Sequence, residues 1–537
     1  MSGTGKGLLV ILAITVAALA LRLPRLQQRP MHTDEAVHAI KFGSLLEEGT
    51  YRYDRHEFHG PTLNYLTLIP AWLSSAQNLT EISETTLRIV PVFFGVVLVL
   101  MLFWLRDGLG WPAAIIAAFL TAVSPAMVFY SRYYIQEMLM VCFTFGALLC
   151  GYRYLQNKQI GWAGAAGVFL GLMHATKETC IIAYGSMLAA LLLTILLRPR
   201  KQGQVLNLGG AFKPWHGITA IATAFLVSAL FYSSFFTHPG GVMDSVLAYK
   251  TYFTRAGQND FHIHPWYYYL KMLVFSKYGN GPVWSEAFIV IFAGIGFWVA
   301  IRRKGLHDGD SDFIRFTAFY TFIMTVIYSL IPYKTPWNVL GFLHGMILLA
   351  GVGIAALIKY QTNKLIRTLT GLVVLVGAAH LTWQAFLANY TYFEDPRNPY
   401  VYAHPVSDIY QVVSRVEEMA RVHPDGQNIH VEVIFPHADY WPLPWYLRAF
   451  PLVGWWKTVD DKTPPAPVII ASPQIEQDVM RKLYEHPPPG ERNLYVPLFH
   501  SYKELRPKVE IRGYVRKELW DKFQKSKISS GQFHLNL

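Results

Sequence analysis

Apolar runs set the frame for this chain. Eleven of them, at about 8–23, 87–105, 112–130, 138–155, 162–176, 179–197, 215–237, 284–301, 313–332, 337–358 and 366–387, follow one another before residue 388. A helix needs roughly 20 apolar residues to cross a hydrocarbon layer of about 30 Å, and only helices and closed barrels satisfy their backbone groups there. The pattern predicts an α-helical, multi-span membrane domain over 1–388, with about eleven transmembrane helices in a range of ten to thirteen. Charge content agrees: 15% of the residues are charged and 53% are hydrophobic, against about 25% charged in soluble domains. The run at 8–23 reads as the first span and not as a cleaved leader, because no polar cleavage region follows it. A half-apolar stretch, 61–76, carries Asn64 and two prolines and reads as a helix lying at the interface. The three cysteines, Cys142, Cys150 and Cys180, all fall inside apolar runs and read as packing residues.

The net charge of +12 is first a topology signal, and no nucleic-acid partner is expected. With Lys6 in the cytoplasm, every turn on that side is basic. Those turns hold Arg106, then Arg153 and Lys158, then Arg198, Arg200, Lys201 and Lys213, then Arg302, Arg303 and Lys304, then Lys359, Lys364 and Arg367. Basic residues collect on the cytoplasmic side of spans, so this orientation is the expected one. The other face receives 24–86, 131–137, 177–178, 238–283, 333–336 and everything past about 388. Residues 389–537 alternate strand-like runs (HVEVIFP, APVIIAS, NLYVPLF) with helix-like PQIEQDVMRKLYEH, which predicts a soluble extracytoplasmic α/β domain. The expected address is the plasma (inner) membrane, multi-pass.

Against that apolar background, MHTDEAVHAI (31–40) places Asp34 and Glu35 between two histidines. Thr33 is positioned to cap a helix that starts at Asp34 and ends near Gly49. First-turn carboxylates suit any helix N-terminus. Here, however, further charges converge on the same face of the membrane. SRYYIQE (131–137) supplies Arg132, Tyr133 and Glu137, the hairpin tip supplies Lys177 and Glu178, and PYKTPWN (332–338) supplies Tyr333, Lys334 and Trp337. Lys277 adds a weaker case. Carboxylates and cations gathered at a membrane surface suit a lipid-phosphate-linked donor: cations neutralise the departing phosphate and a carboxylate takes the acceptor's proton.

At these residues the chain resembles the GT-C glycosyltransferases of the protein O-mannosyltransferase and aminoarabinose transferase type. It is closest to a prokaryotic subgroup called flippase activity-associated. The likeness rests on MHTDEA (31–36), His59-Gly60-Pro61, SRYYIQE (131–137), YKTPWN (333–338) and DYWPLPWYLR (439–448), and it covers essentially the whole chain. The resemblance implies an integral membrane enzyme moving a sugar, with inversion, from a polyprenyl-phosphate carrier to a protein or glycan acceptor of the cell envelope. It puts Asp34 at the catalytic base, Glu35 at the partner acid and Glu137 at a second loop acid. It turns Arg132, Lys177 and Lys334 toward the donor phosphate. His38, His59, Tyr133, Tyr333 and Trp337 would contact sugar or acceptor. The superfamily often has His-Pro-Pro where this chain has His59-Gly60-Pro61.

His32, His38, His56 and His59 share the first long loop with Asp34, Glu35 and Glu57, a set whose chemistry suits zinc or manganese. No HExxH-like spacing is present, and the reading preferred is no metal and no cofactor, with the histidines positioning Asp34 or bonding a sugar. The segment 437–456 packs seven aromatic residues into twenty and reads as a belt docking the outer domain, or as an acceptor platform; 262–275 reads as an interfacial helix. The competing class is a transporter or flippase accessory that binds lipid-linked sugars without chemistry. That class predicts charges deep in the spans and inverted repeats, whereas these spans are almost devoid of charge.

Overall fold

The computed structural model describes residues 3–56, 59–198, 213–256, 262–302 and 309–529. Glu57 and the basic residues Arg200, Lys201, Arg303 and Lys304 lie outside the described residues.

Each of the eleven apolar runs holds a helix. Seven of these helices are long and apolar enough to cross a bilayer, and four apolar ones are shorter: Trp111–Val123, Ile160–His174, Cys180–Leu196 and Ala287–Arg302. The third run is not one helix. It breaks at Ser124, before Pro125, into Trp111–Val123 and Pro125–Tyr130. A proline cannot donate to the preceding turn, and the residue before it is pushed out of helical geometry. Buried Glu286 fills the break: it accepts from the Ser124 hydroxyl (2.5 Å), the Ala126 N–H (3.1 Å) and the Tyr400 hydroxyl (2.7 Å). Elsewhere the helices close on small residues. Gly296 of Ala287–Arg302 and Gly353 of Leu340–Tyr360 face each other so closely that a Cβ on either would run into the opposite backbone.

Among the described residues the seven strands lie beyond residue 430: β1 (Val431–Ile434), β2 (Val453–Trp456), β3 (Val468–Ala471), β4 (Tyr495–Pro497), β5 (Glu504–Arg506), β6 (Val509–Glu510) and β7 (Arg512–Arg516). Five form a sheet in the order β2-β1-β3-β7-β4, with β1 parallel to β2 and β3 and with β7 antiparallel to β3 and β4; β5 and β6 pair separately. Helices Asp408–Val422, Glu476–Tyr484 and Lys517–Ser529 accompany them. The helical bundle with a C-terminal α/β unit expected from the sequence is what is found.

The sheet unit sits on one end of the bundle, and the aromatic segment 437–456 holds it there. Trp445 is fully buried and its indole N–H donates to Glu84 (2.9 Å), at the first turn of Glu84–Met101. The Tyr446 hydroxyl accepts from the Met31 N–H (2.8 Å). Arg448 lies over the Trp445 ring and donates to the Leu79 and Ile82 carbonyls. Arg506 reaches from β5 to the Thr33 hydroxyl (3.3 Å) and the Trp441 carbonyl (3.1 Å). Of the two readings of this segment, these contacts are docking contacts.

Candidate active site at the sheet-bearing end

The acidic helix runs Thr33–Glu48 and stops at Gly49, whose φ of 70° is the left-handed conformation that ends helices. Its cap is His32, one residue earlier than expected. The His32 Nδ1 accepts from the Asp34 N–H (3.0 Å), and the Glu35 carboxylate accepts from the His32 N–H (3.0 Å). This is a reciprocal capping box in which an imidazole replaces the usual hydroxyl. Thr33 was predicted from propensity; the imidazole wins because burial keeps His32 neutral and leaves a nitrogen lone pair to accept with.

Glu35 is fully buried and spent. One oxygen accepts from Arg88 Nε (2.7 Å) and the Tyr134 N–H (2.8 Å), the other from Arg88 Nη2 (2.7 Å) and the His32 N–H. Arg29 stands 3.8 Å away. Burial pushes this carboxyl up, but the Arg88 and Arg29 charges outweigh it and hold the pKa below the ordinary range. With every lone pair engaged, Glu35 fixes the start of the helix and takes no proton from a substrate. The sequence reading missed Arg88. The signal was there: an arginine in the first turn of an otherwise apolar span.

Asp34, next to it, is different. Its side chain is 43% exposed, and the only ion-pair contact among the described residues is the neutral His32 ring at 3.9 Å. It lies within Coulombic reach of His38, Tyr133 and His262. His38 is buried, and its Nδ1 meets Gln136 Nε2 at 3.4 Å. Burial and the neighbouring His59 push its pKa down to about 3, so it is neutral at physiological pH.

His59 Nδ1 meets the Glu178 carboxylate at 2.7 Å, and the other Glu178 oxygen accepts from the Tyr53 hydroxyl (3.0 Å). Burial raises the Glu178 carboxyl, and His59 with Tyr53 more than offsets that. Gly60 explains the departure from His-Pro-Pro: a Cβ there would strike the Ala175 carbonyl, which accepts from the Thr62 N–H (3.1 Å). Glycine at this position lets the loop press onto the hairpin tip that carries Lys177 and Glu178.

The expected cations are placed unequally. Lys177 is ion-paired with Glu137, and both are buried. Burial opposes the ammonium, but Glu137 wins and holds its pKa up. Each neutralises the other, so neither stands alone as acid or phosphate ligand. Arg132 is held by backbone carbonyls. Its guanidinium donates to the Arg22, Pro24 and Arg25 carbonyls (2.9, 2.8 and 3.3 Å) and to the Tyr390 hydroxyl (3.0 Å). These contacts clamp the first span, the loop after it and the segment past the last apolar helix together. Lys334 is buried and carries no ion pair among the described residues. It donates to the His264 carbonyl (3.1 Å) and the Ile331 carbonyl, leaving a third N–H to give.

Aromatic rings complete the wall. Trp337 meets His32, Tyr133 and Tyr402 edge-on at 5.7, 5.8 and 6.0 Å between ring centres, and Tyr333 meets His262 at 5.3 Å. The Tyr133 hydroxyl, His264 Nε2 and His404 Nε2 are buried without a hydrogen-bond partner among the described residues. Unspent polar atoms of this kind are what a polyhydroxylated ligand would satisfy. Among the described residues no group of three or more His, Cys, Asp or Glu side chains is arranged to hold a metal ion.

A family model described as dolichyl-phosphate-mannose-protein mannosyltransferase matches residues 67–212. The match takes in Arg132, Glu137 and Lys177 and begins after Asp34. Among solved structures, ArnT from Cupriavidus metallidurans bound to undecaprenyl phosphate superposes with a TM-score of 0.58 at 14% identity, over 95% of this chain and 98% of that one. AglB, the Archaeoglobus fulgidus oligosaccharyltransferase in complex with an inhibitory peptide and a dolichol-phosphate, gives 0.53 at 14% identity, over 96% and 74%. The apo form of the Archaeoglobus enzyme gives 0.56 at 14% identity, over 89% and 70%. No curated protein matches the chain at a significant level. At these identities the likeness is one of fold, and the fold is GT-C.

Proposed function

We propose that this chain is a multi-pass membrane glycosyltransferase that moves a sugar from a polyprenyl-phosphate-linked donor to an acceptor hydroxyl outside the cytoplasm, with inversion and with Asp34 as base. The observation that carries this reading is the contrast among the four carboxylates picked out from the sequence, Asp34, Glu35, Glu137 and Glu178. Glu35, Glu137 and Glu178 are each buried against a cation or an imidazole, and Asp34 alone is open. The family-model match and the GT-C fold support it, because the matched family and ArnT are tied by name to lipid-phosphate carriers.

In this reading Asp34 takes the acceptor's proton as its oxygen attacks the anomeric carbon. The carbon–phosphate-oxygen bond breaks on the far side, and the lipid phosphate leaves with the electron pair. Lys334, with its remaining N–H, meets the growing phosphate charge, and charge-assisted bonds of this kind are the strong ones. His59, held by Glu178, and the aromatic wall orient the sugar. The sheet unit lies outside the cytoplasm and the basic turns inside it, in the plasma membrane, so donor and acceptor meet on the outer side. The acceptor is a protein or glycan hydroxyl.

The test is transfer from a panel of labelled polyprenyl-phosphate monosaccharides by purified protein in lipid, with Asp34→Asn beside it. Release of polyprenyl phosphate with a glycosylated product by wild type only is the expected result. Equal donor binding by both proteins with no turnover by either would overturn the transferase reading.

A further inference from the structure

The middle of the helical bundle holds a feature that sugar transfer does not use. A cavity of about 20 Å³ lies where the helices Glu137–Asn157, Ser311–Leu330 and Leu340–Tyr360 meet. One water needs about 10–15 Å³ of such space, so this cavity takes a single water and is too small for a sugar or an acyl chain. Thr144, Phe145, Thr317, Tyr320, His344 and Gly345 are among its walls.

Two polar atoms on those walls are stranded. The Tyr320 hydroxyl and His344 Nε2 are buried with no hydrogen-bond partner among the described residues. Tyr320 is 2% exposed and His344 4%. Tyr320 lies halfway along its span, at a depth that bulk water does not serve. The Thr317 hydroxyl gives its proton to the Phe313 carbonyl (3.0 Å) and keeps its lone pairs to accept with.

Packing explains why the gap stays open. A Cβ at Gly345 would run into Thr321 Oγ1, so the spans Ser311–Leu330 and Leu340–Tyr360 already touch beside the cavity and cannot draw closer to fill it. The His344 ring stands edge-on to Phe145, 4.9 Å between centres, which holds it off the helix Glu137–Asn157. Empty protein cavities are apolar, whereas polar ones of this size hold a water with two to four partners. Water both gives and takes hydrogen bonds, so it serves Nε2 in either imidazole tautomer and the phenol in either role. A cation fits less well, because no carboxylate lines the cavity.

We propose that this cavity is a binding site for one structural water, which bridges Tyr320 Oη and His344 Nε2, bonds Thr317 Oγ1 as a third partner, and ties the span Ser311–Leu330 to Leu340–Tyr360. It is independent of the transfer reaction, and its test reads no turnover. A cryo-EM map of the full chain in lipid nanodiscs, sharp enough to show bound water, is expected to carry a single peak within hydrogen-bond reach of both atoms. Absence of that peak overturns the proposal.

Reversible unfolding in mixed micelles gives the second arm, with Tyr320→Phe, His344→Phe and the double variant. A buried hydrogen bond is worth on the order of 5-fold in the folding equilibrium, so each single variant is expected to lose about that factor. The double variant is expected to lose clearly less than the product of the two, because either substitution already breaks the bridge. Single variants as stable as wild type, or more stable, overturn the proposal: that is how a dry cavity behaves when relieved of a stranded polar group. Singles whose effects simply multiply overturn the bridge as well.

Discussion

Arg88→Gln puts the central ion pair under the sharpest test. All five Arg88 N–H donors are engaged. Two go to Glu35, at 2.7 Å each, and the others to the Leu26, Arg29 and Pro30 carbonyls. Both partners are at most 1% exposed, so solvent screens nothing. Removing the cation leaves Glu35 with the His32 and Tyr134 N–H groups and no nearby charge but Arg29. Breaking one side of a buried pair costs about 3–5 kcal/mol, which is roughly two to three and a half decades in the folded-to-unfolded ratio. The pair also sets a pH dependence. The Glu35 carboxyl sits below its ordinary value of 4.5 when folded, so its contribution is complete above that pH and is lost as pH falls through the folded value. In Arg88→Gln the folded pKa rises, and acid unfolding begins at a higher pH.

The assay is reversible unfolding in mixed micelles, followed by tryptophan fluorescence across pH, for wild type, Arg88→Gln, Glu35→Gln and the apolar double variant Arg88→Met with Glu35→Leu. The double variant is expected to cost clearly less than the sum of the singles, because it leaves no stranded charge. An Arg88→Gln protein within about 0.5 kcal/mol of wild type, or singles that simply add, would refute the reasoning.

Asp34→Asn is expected to lower turnover about 10²–10⁴-fold, the usual worth of a positioned base, with donor binding retained when measured by labelled-lipid capture. His38 is held neutral, with a folded pKa of about 3 against 6.5 outside, so the unfolded chain binds the extra proton between those values. Stability therefore falls as pH drops below about 6.5, and His38→Gln is expected to flatten that part of the acid-unfolding curve. Gly60→Ala forces a Cβ into the Ala175 carbonyl, and a clash of this sort costs about 1–3 kcal/mol; it is expected to slow transfer more than it weakens donor binding. Arg448→Ala removes the guanidinium that ties the sheet unit to the Leu79 and Ile82 carbonyls, and is expected to raise the rate of limited proteolysis within 437–456, read by gel.

Much of the architecture was legible because lipid imposes one rule on every span. The eleven runs announced eleven apolar helices, and the strand-like runs announced β1, β3 and β4. β2 and β7 were harder to see: VGWW is part of the Trp-rich segment 437–456 and RGYVR is bracketed by arginines, and their pairing is decided by partners distant in sequence. Site residues were found by type and sidedness, but sequence says nothing of partners. Asp34 and Glu35 are neighbours with similar local signals, and only the fold separates an open carboxylate from a saturated one. Arg132 shows the same limit. An arginine at a span end reads as a ligand for anions, while here three carbonyl oxygens from residues 22–25 claim it.

That arginine also bears on how the chain is made. Arg22, at the end of the first span, donates to the Thr121 and Ala122 carbonyls, and Arg132 donates back to its carbonyl. Tyr390, just past the last apolar helix, accepts from Arg132 and donates to the Leu21 carbonyl. The helix that ends at Arg22 thus meets its partners about a hundred residues further along the chain, and Tyr390, past the helix Lys364–Phe386, draws the knot tight. Until those partners are in place, the Ala18 carbonyl of its own helix is the acceptor close at hand for the Arg22 guanidinium.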